Sequence, residues 1–352
     1  MKGEKILAFI AVCLIAIGVI GAKTAKAPQK QTEPTEAPVA TQEPLRTLTV
    51  TATGDCTFAT DVNASRDLGF VSYAERYGTD WFFDKVRDIF EDDDLTIVNF
   101  EGTLSDRGER EIKQFAFRGD PEYVNALSDS SVEAANLANN HSMDYGEVSL
   151  TDTKKYLDEK GILHCRGEED VAVTEINGIK VGLVGINYLN DVMRTELEDA
   201  IKKAKDMGAE LIILSIHWGV EKATAPNADQ IDAAHTAIDC GADLVIGTHP
   251  HVLQGFEKYK GRYICYSLGN FSFGGNNAPS DMDTAIFRQT FTLKGDELVD
   301  DDNFEIIPCR ISSADGYNNY QPIPAEGAKR DRTIDRLTTY TNNIGELKLN
   351  FR

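Results

Sequence analysis

Cysteine is scarce in this chain and shows no pairing pattern: six in 352 residues, none arranged as Cys-x-x-Cys. Cys13 sits inside an apolar run, which leaves Cys56, Cys165, Cys240, Cys265 and Cys309. Five is an odd number, and most of the five have apolar neighbours, as in Tyr263-Ile264-Cys265-Tyr266. That argues against a disulfide framework and for small buried hydrophobes. Positive charge is also short, with 36 Lys and Arg against 57 Asp and Glu, a net charge of −21. A surface that acidic excludes nucleic acid as a partner, because phosphates need Lys and Arg. It equally excludes unaided binding of any polyanion, so an anionic ligand needs a local cation, and a bound metal supplies one. There is no internal repeat. The chain is 41% hydrophobic, enough to bury a sizeable core.

Only one long apolar run exists, Ile6 to Ala22, 17 residues preceded by Lys2 and Lys5. A charged start followed by a hydrophobic stretch marks an export segment. Its length is at the short end for a membrane-spanning helix. The reading is an uncleaved anchor spanning residues 1–27, with cleavage near Ala25-Lys26-Ala27 as the alternative. Cys13 follows Ile10-Ala11-Val12, a poor lipidation motif. The basic end stays inside, so everything after Ala22 is expected outside the cell membrane. Residues 28–46 are rich in Pro, Thr, Glu and Gln without periodicity, which reads as an extended stalk.

The folded part starts near Thr47. Short apolar runs bounded by Gly or polar residues read as buried strands: Thr47–Thr53, Leu95–Phe100, Val132–Leu137, Lys180–Ile186, Leu211–Ile216, Leu244–Ile246 and Tyr263–Leu268. Helical patterns fall between them, over Phe82–Glu91, from Pro121 to Leu127 with Asp120 as its cap, and over Leu150–Lys160, Thr195–Met207 and Asn227–Cys240. Alternation of strands and helices predicts an α/β domain over residues 47–315. After Thr284 the pattern turns to polar alternation, which predicts an antiparallel finish within the same domain. Residues 316–352 form a C-terminal extension, with a charged helix from 328 packed loosely or frayed.

Each of several polar residues sits just after one of these strands. In α/β sheets such positions gather at one edge, where ligands bind. Asp55, Glu101, Asn140, His141, Asp144, His217, His249 and His251 are therefore expected to converge, four of the six histidines among them. Imidazole and carboxylate are ligands for Zn, Fe or Mn, and Asn adds a neutral oxygen. Asp55, Glu101, Asn140, His217, His249 and His251 are the candidate metal ligands, for one or two divalent ions. Metals would activate a bound water at neutral pH. His141, oriented by Asp144, would then protonate a leaving oxygen. His249 and His251 flank Pro250; an extended backbone would point them apart, whereas a turn would aim both at one place.

Taken singly, each of these has a plainer role: a Gly-Asp turn, an Asn-Asn turn, a buried histidine beside Trp218. Their recurrence at successive strand ends is what carries the signal. His164 and His235, on a strand edge and a helix, read as structural.

The segments TATGDCTF (51–58), TIVNFEGTL (96–104), FAFRGDPEYVNAL (115–127), NLANNHSMDYG (136–146), ILSIHWGVE (213–221), CGADLVIGTHPHVLQGFE (240–257) and YSLGNFSF (266–273) resemble the capsule-synthesis CapA family, associated with poly-γ-glutamate biosynthesis. That family is similar to the calcineurin-like metallophosphoesterases, which implies a sandwich of two β-sheets flanked by helices. The resemblance implies metal roles for Asp55, Glu101, Asn140, His217, His249 and His251. It also departs. The phosphoesterase first motif has a histidine where Thr57 stands, and the bridging aspartate is the longer Glu101, so one metal position loses a ligand. Glu221, Gln254, Glu257, Asn270 and Phe271 belong to the CapA-like pattern, and Glu221, Glu257 and Asn270 are the expected substrate-binding residues. Three functions fit: a surface-anchored protein of polyglutamate or related capsule assembly, working beside capsule-synthesis membrane proteins; a metal-dependent envelope hydrolase of a phosphoester or amide; and a non-catalytic module gripping an anionic polymer through its metal.

Overall fold

In a computed structural model of the chain, residues 44–64, 67–189, 194–299 and 303–352 are described. The Ile6–Ala22 run, Cys13 and residues 28–43 of the stalk lie outside them. Among the described residues no helix is long and apolar enough to cross a membrane.

Two β-sheets face each other. The first has nine strands and runs, in spatial order, Ile323–Pro324, Phe304–Arg310, Asp283–Lys294, Leu45–Thr57, Leu95–Phe100, Ala134–Asn136 and Leu163–Cys165. Asn270–Phe273 also pairs with Leu45–Thr57, and Glu297–Val299 with Asp283–Lys294. The second sheet has six strands: Phe256–Tyr259, Arg262–Cys265, Leu244–Thr248, Leu211–Trp218, Ile179–Tyr188 and Ala172–Ile176.

Side chains alternate between the faces of each strand. Leu48, Val50 and Ala52 of the first sheet meet Val181, Leu183, Ile213 and Ile246 of the second in one central core. Residues of the opposite parity look outward. Val98 and Phe100 join an aromatic cluster with Phe58, Phe70 and Phe82. Val184, Ile186 and Leu214 pack under the helices Arg194–Asp206 and Ala228–Cys240. Because both faces are covered, every residue of Leu211–Trp218 is buried, and the strand is apolar apart from Ser215 and His217.

The α/β class and the two-sheet sandwich agree with expectation, and so does the antiparallel finish, which pairs Asp283–Lys294 with both Leu45–Thr57 and Phe304–Arg310. Three local readings change. Phe82–Glu91 is not one helix; only Arg87–Phe90 is helical there. Phe82 and Phe83 are both fully buried in the same aromatic cluster, and a helix would turn adjacent residues about 100° apart. The first strand begins at Leu45, taking two residues assigned to the stalk, and continues through Asp55 to Thr57. The charged C-terminal helix is not loose: it spans Gly327–Asn342, Leu337 is 0% exposed, and the backbone N–H of Phe256 donates to Thr341 Oγ1 at 3.1 Å.

The chain changes sheets between Arg262–Cys265 and Asn270–Phe273. That crossover lies beside Asp55, which pairs in register with Asn270. The ends of the parallel strands of both sheets therefore meet at one edge.

Candidate metal centre

Three asparagines build the floor. In register across the first sheet, Asp55 faces Asn99, and Asn99 faces Asn136. Asn99 is 1% exposed, and its Nδ2 donates to Asp55 Oδ1 at 2.8 Å. Its Oδ1 accepts from Asn136 Nδ2 at 2.9 Å and from Asn139 Nδ2 at 3.3 Å. Neither Asn99 nor Asn136 was singled out from sequence. The signal was there, as a polar residue at matching positions of neighbouring buried strands.

Asp55, Glu101 and His217 are each 0% exposed, and one donor atom from each lies within 4.8 Å of the others. Glu101 Oε1 stands 3.4 Å from His217 Nε2, and Asn140 Oδ1 stands 2.9 Å from the same nitrogen. Thr248 Oγ1 lies 3.0 Å from His217 Nδ1 and fixes the ring. On the other side of Asp55, Oδ2 accepts from His251 Nδ1 at 3.1 Å, which also reaches Asn270 Oδ1 at 2.9 Å. The histidine pair does converge. His249 and His251 have φ of 93° and 57°, so Pro250 sits between two left-handed residues, and the ring centroids lie 5.6 Å apart. Positive φ in non-glycine residues is strained and clusters at ligand sites.

The electrostatics follow from burial. Burial, then the neighbouring Asp55 charge, pushes the Glu101 carboxyl well above the usual carboxylate range. Burial, with His249 and His251 adding to it, holds His217 well below the ordinary imidazole value. His249 is pushed down to about 4, chiefly by burial. His251 goes the other way: burial lowers it, but the Glu101 and Asp55 carboxylates outweigh burial and raise it to about 9. Two buried atoms here have no hydrogen-bond partner, Glu101 Oε2 and His249 Nδ1. Both are metal-donor atoms. The Asp55 and Glu101 carboxyl groups, the neutral imidazoles of His217 and His249 and the Asn140 amide oxygen, with two of these donor atoms left orphaned, fit a divalent cation.

His141 stands apart from this set as a proton-handling pair with Asp144. Its Nδ1 donates to Asp144 Oδ2 at 2.7 Å, and Asp144 is fixed in turn by Lys113 Nζ at 2.6 Å and by the backbone N–H of Phe117 at 2.6 Å. Burial lowers the His141 pKa. Lys113 was not foreseen; it lies on a loop without periodicity. His141, His251, Asn270 and Glu221 line a cavity of about 390 Å³ walled by Phe117 and Phe273.

One expected site residue is elsewhere. Glu257 accepts from His235 Nε2 at 2.9 Å and from the Tyr266 hydroxyl at 2.7 Å, and it is not part of the cavity wall. It lies on the edge strand Phe256–Tyr259, where it pairs with Ile264 of a strand in the second sheet. Closeness to His251 in sequence did not make it a neighbour of His251 in space. His235, read as structural, stacks on Tyr259 with centroids 3.8 Å apart.

A family profile described as "Bacterial capsule synthesis protein PGA_cap" matches residues 49–275, well over half of the chain. The chain belongs to this capsule synthesis family. It is 31% identical to "Capsule biosynthesis protein CapA" of Bacillus anthracis over 97% of this chain and 82% of that protein. It is 29% identical to "PGA biosynthesis protein CapA" of Bacillus subtilis (strain 168), over 76% and 74% of the two chains. A solved structure of a hypothetical protein from Thermus thermophilus aligns with a TM-score of 0.45 at 15% identity, over 74% of this chain and 98% of that one. The matched span of the capsule synthesis family ends just past Asn270–Phe273, so it contains every donor of the cluster. The buried hydroxyl of Thr57 has no hydrogen-bond partner.

Proposed function

We propose that this capsule synthesis family member is tethered to the cell membrane by Ile6–Ala22 and handles an anionic capsule polymer, poly-γ-glutamate or a close relative, outside the cell with the help of a divalent metal. The observation that carries the metal is the buried Asp55–Glu101–His217 cluster, backed by the orphaned donors Glu101 Oε2 and His249 Nδ1. The polymer reading comes from the names of the relatives, and the tether from the basic-flanked apolar run and its stalk. Capsule-synthesis membrane proteins are the expected partners.

Asp55, Glu101, Asn140, His217, His249 and His251 would hold Mn, Fe or Zn. When bound, such an ion polarises a carbonyl or phosphoryl oxygen and activates water. The chain's own residues supply the rest. Asp144 holds His141 by Nδ1, so the ring edge facing the cavity is the one free to take up a proton and pass it on to a leaving oxygen or nitrogen. Phe117 and Phe273 exclude water from the flank. Asn270 orients His251. Glu221 lies on the cavity wall, where a metal-neutralised polyanion would meet it. A second reading, metal-mediated polymer binding without hydrolysis, is favoured by Thr57 standing where a ligand histidine is expected.

The deciding experiment is elemental mass spectrometry on the full-length chain purified under metal-replete conditions, with His217→Ala alongside. The expected result is one firmly held equivalent of Mn, Fe or Zn per chain, lost in the variant. A second equivalent would point to a binuclear hydrolase. No metal in the wild type would sink the proposal.

A further inference from the structure

Two arginines are buried among the described residues, Arg288 at 7% and Arg310 at 8% exposure. Their surroundings differ. Arg288 donates to Glu305 at 3.0 Å and reaches Asp92 at 3.4 Å. Among the described residues Arg310 has no carboxylate within 4.0 Å; its side chain contacts Met282 Sδ at 3.7 Å, and its Nε has no partner. The acid directly across the sheet from it is Asp283. That carboxylate is already used: Arg332 Nε holds one oxygen at 2.9 Å, and Arg336 Nη1 reaches the same oxygen at 2.7 Å. Arg336 also grips Asp281 at 2.8 Å. Asp315 is exposed and paired with Lys329, and the Arg310 charge comes last among the influences on it. In this small cluster Asp281 and Asp283 answer Arg332 and Arg336, and the charge of Arg310 is left over.

The leftover charge is not walled in. Arg310, Arg332 and Arg336 line a cavity of about 500 Å³. Pro279, Ser280 and Asp281 form a wall that this cavity shares with the cavity over the metal centre. An unpaired guanidinium in a low-dielectric site is costly, and an anion seated on it removes the cost. A guanidinium presents a planar fork that matches a carboxylate in a bidentate pair. On a chain of net charge −21, such a spot is rare.

We propose that Arg310 is the centre of an anion subsite next to the metal centre, which takes a carboxylate of an acidic polymer whose neighbouring unit lies over the metal. The choice of polymer rests on the function proposed above; the subsite itself rests on Arg310 and its cavity. It gives a polyanion two anchors on an otherwise repelling surface, one through the metal and one through the guanidinium.

The test is calorimetric titration of the full-length chain, purified with manganese, with a γ-linked glutamate octamer. Wild type is compared with Arg310→Gln and Arg310→Lys. The subsite predicts at least a tenfold loss of octamer affinity in Arg310→Gln with metal content unchanged, and a ligand-free Tm no lower than wild type. Arg310→Lys keeps the charge without the fork and loses at least threefold. Octamer affinity within twofold of wild type in either folded variant overturns the inference. If the wild type binds no octamer, the polymer reading fails on its own account, and sulfate decides the subsite. Sulfate that raises the Tm of wild type but not of Arg310→Gln sustains it; an equal response in the two overturns it.

Discussion

A single asparagine ties the candidate ligands of this site to its scaffold. Asn99 touches Asp55 directly and lies 3.4 Å from Glu101 Oε1 and 3.3 Å from His217 Nδ1, while its carbonyl oxygen is held by two further asparagines. Gly54 is as exacting for a different reason. A Cβ at this position would lie 1.9 Å from the carbonyl oxygen of Gly269, the atom that accepts the Asp55 backbone N–H at 3.0 Å. Both partners are backbone, so a side chain forces the Asn270–Phe273 strand away from Leu45–Thr57. Gly54→Ala is therefore expected to cost about 2 kcal/mol or more and to cut bound metal by at least half, checked by urea unfolding and metal analysis. Metal retained at the wild-type level would show that Asn270 and His251 do not depend on that contact. The sequence pattern ends the first strand at Thr53, before Gly54-Asp55. The strand instead runs through it, because the glycine serves a close approach between strands, which no local pattern reports.

Among the elements, the C-terminal helix Gly327–Asn342 departs most from expectation. Its sequence is polar, and its buried face consists of Thr333, Leu337 and Thr341, one apolar residue between two small polar ones. Such a stripe carries little hydrophobic period, so it reads as a loose helix. Docking comes instead from partners far away in sequence. Leu337 enters the central core, Thr341 caps the N–H of Phe256, and Arg332 and Arg336 clasp Asp283 and Asp281. Leu337→Ala should lower stability by about 3 kcal/mol, in the range for emptying a buried leucine site. A loss under about 0.5 kcal/mol by chemical denaturation, the size of an ordinary surface substitution, would return the helix to the frayed state expected from sequence. The Asn270–Phe273 strand teaches a related lesson. The sequence pattern marks only Tyr263–Leu268 as a strand there, yet Asn270–Phe273 is a strand of the other sheet, and that change of sheet brings Asn270 to His251 while Glu257 is carried to an edge.

At the scale of the whole molecule, acidity is the governing property. Glu133 and Asp93 are half-buried acids away from the candidate metal cluster. Burial raises Glu133 from an ordinary 4.5 to about 7, with the Asp93 charge adding to it, and burial raises Asp93 to about 6. A carboxyl whose pKa is higher in the folded state binds its proton more tightly there. Its stabilisation is present in full below the unfolded pKa and is lost as pH rises through the folded one. For Glu133 that window runs from 4.5 to about 7. Glu133→Gln keeps the acceptor for the Thr96 N–H, 2.8 Å away, and removes the titration. Urea midpoints of variant and wild type, taken at pH values of about 5 and about 7.5 on either side of the folded pKa, should show the variant gaining on wild type as pH rises. A constant difference between them would mean that Glu133 does not titrate in this window.

The pattern of apolar runs and polar strand ends was enough for the α/β class and for most of the candidate ligands, while the two-sheet sandwich was implied by the family resemblance. Strands buried on both faces appear as short apolar runs, and parallel strands carry their terminal polar residues to one edge, so Asp55, Glu101, His217 and His249 declared themselves locally. Tertiary structure alone decided the asparagine floor, the left-handed turn that aims His249 and His251 together, the removal of Glu257 from the site and the unanswered charge of Arg310. Each of these depends on which strands lie side by side across the two sheets. Those pairings join residues tens to hundreds of positions apart, and local periodicity holds no record of them.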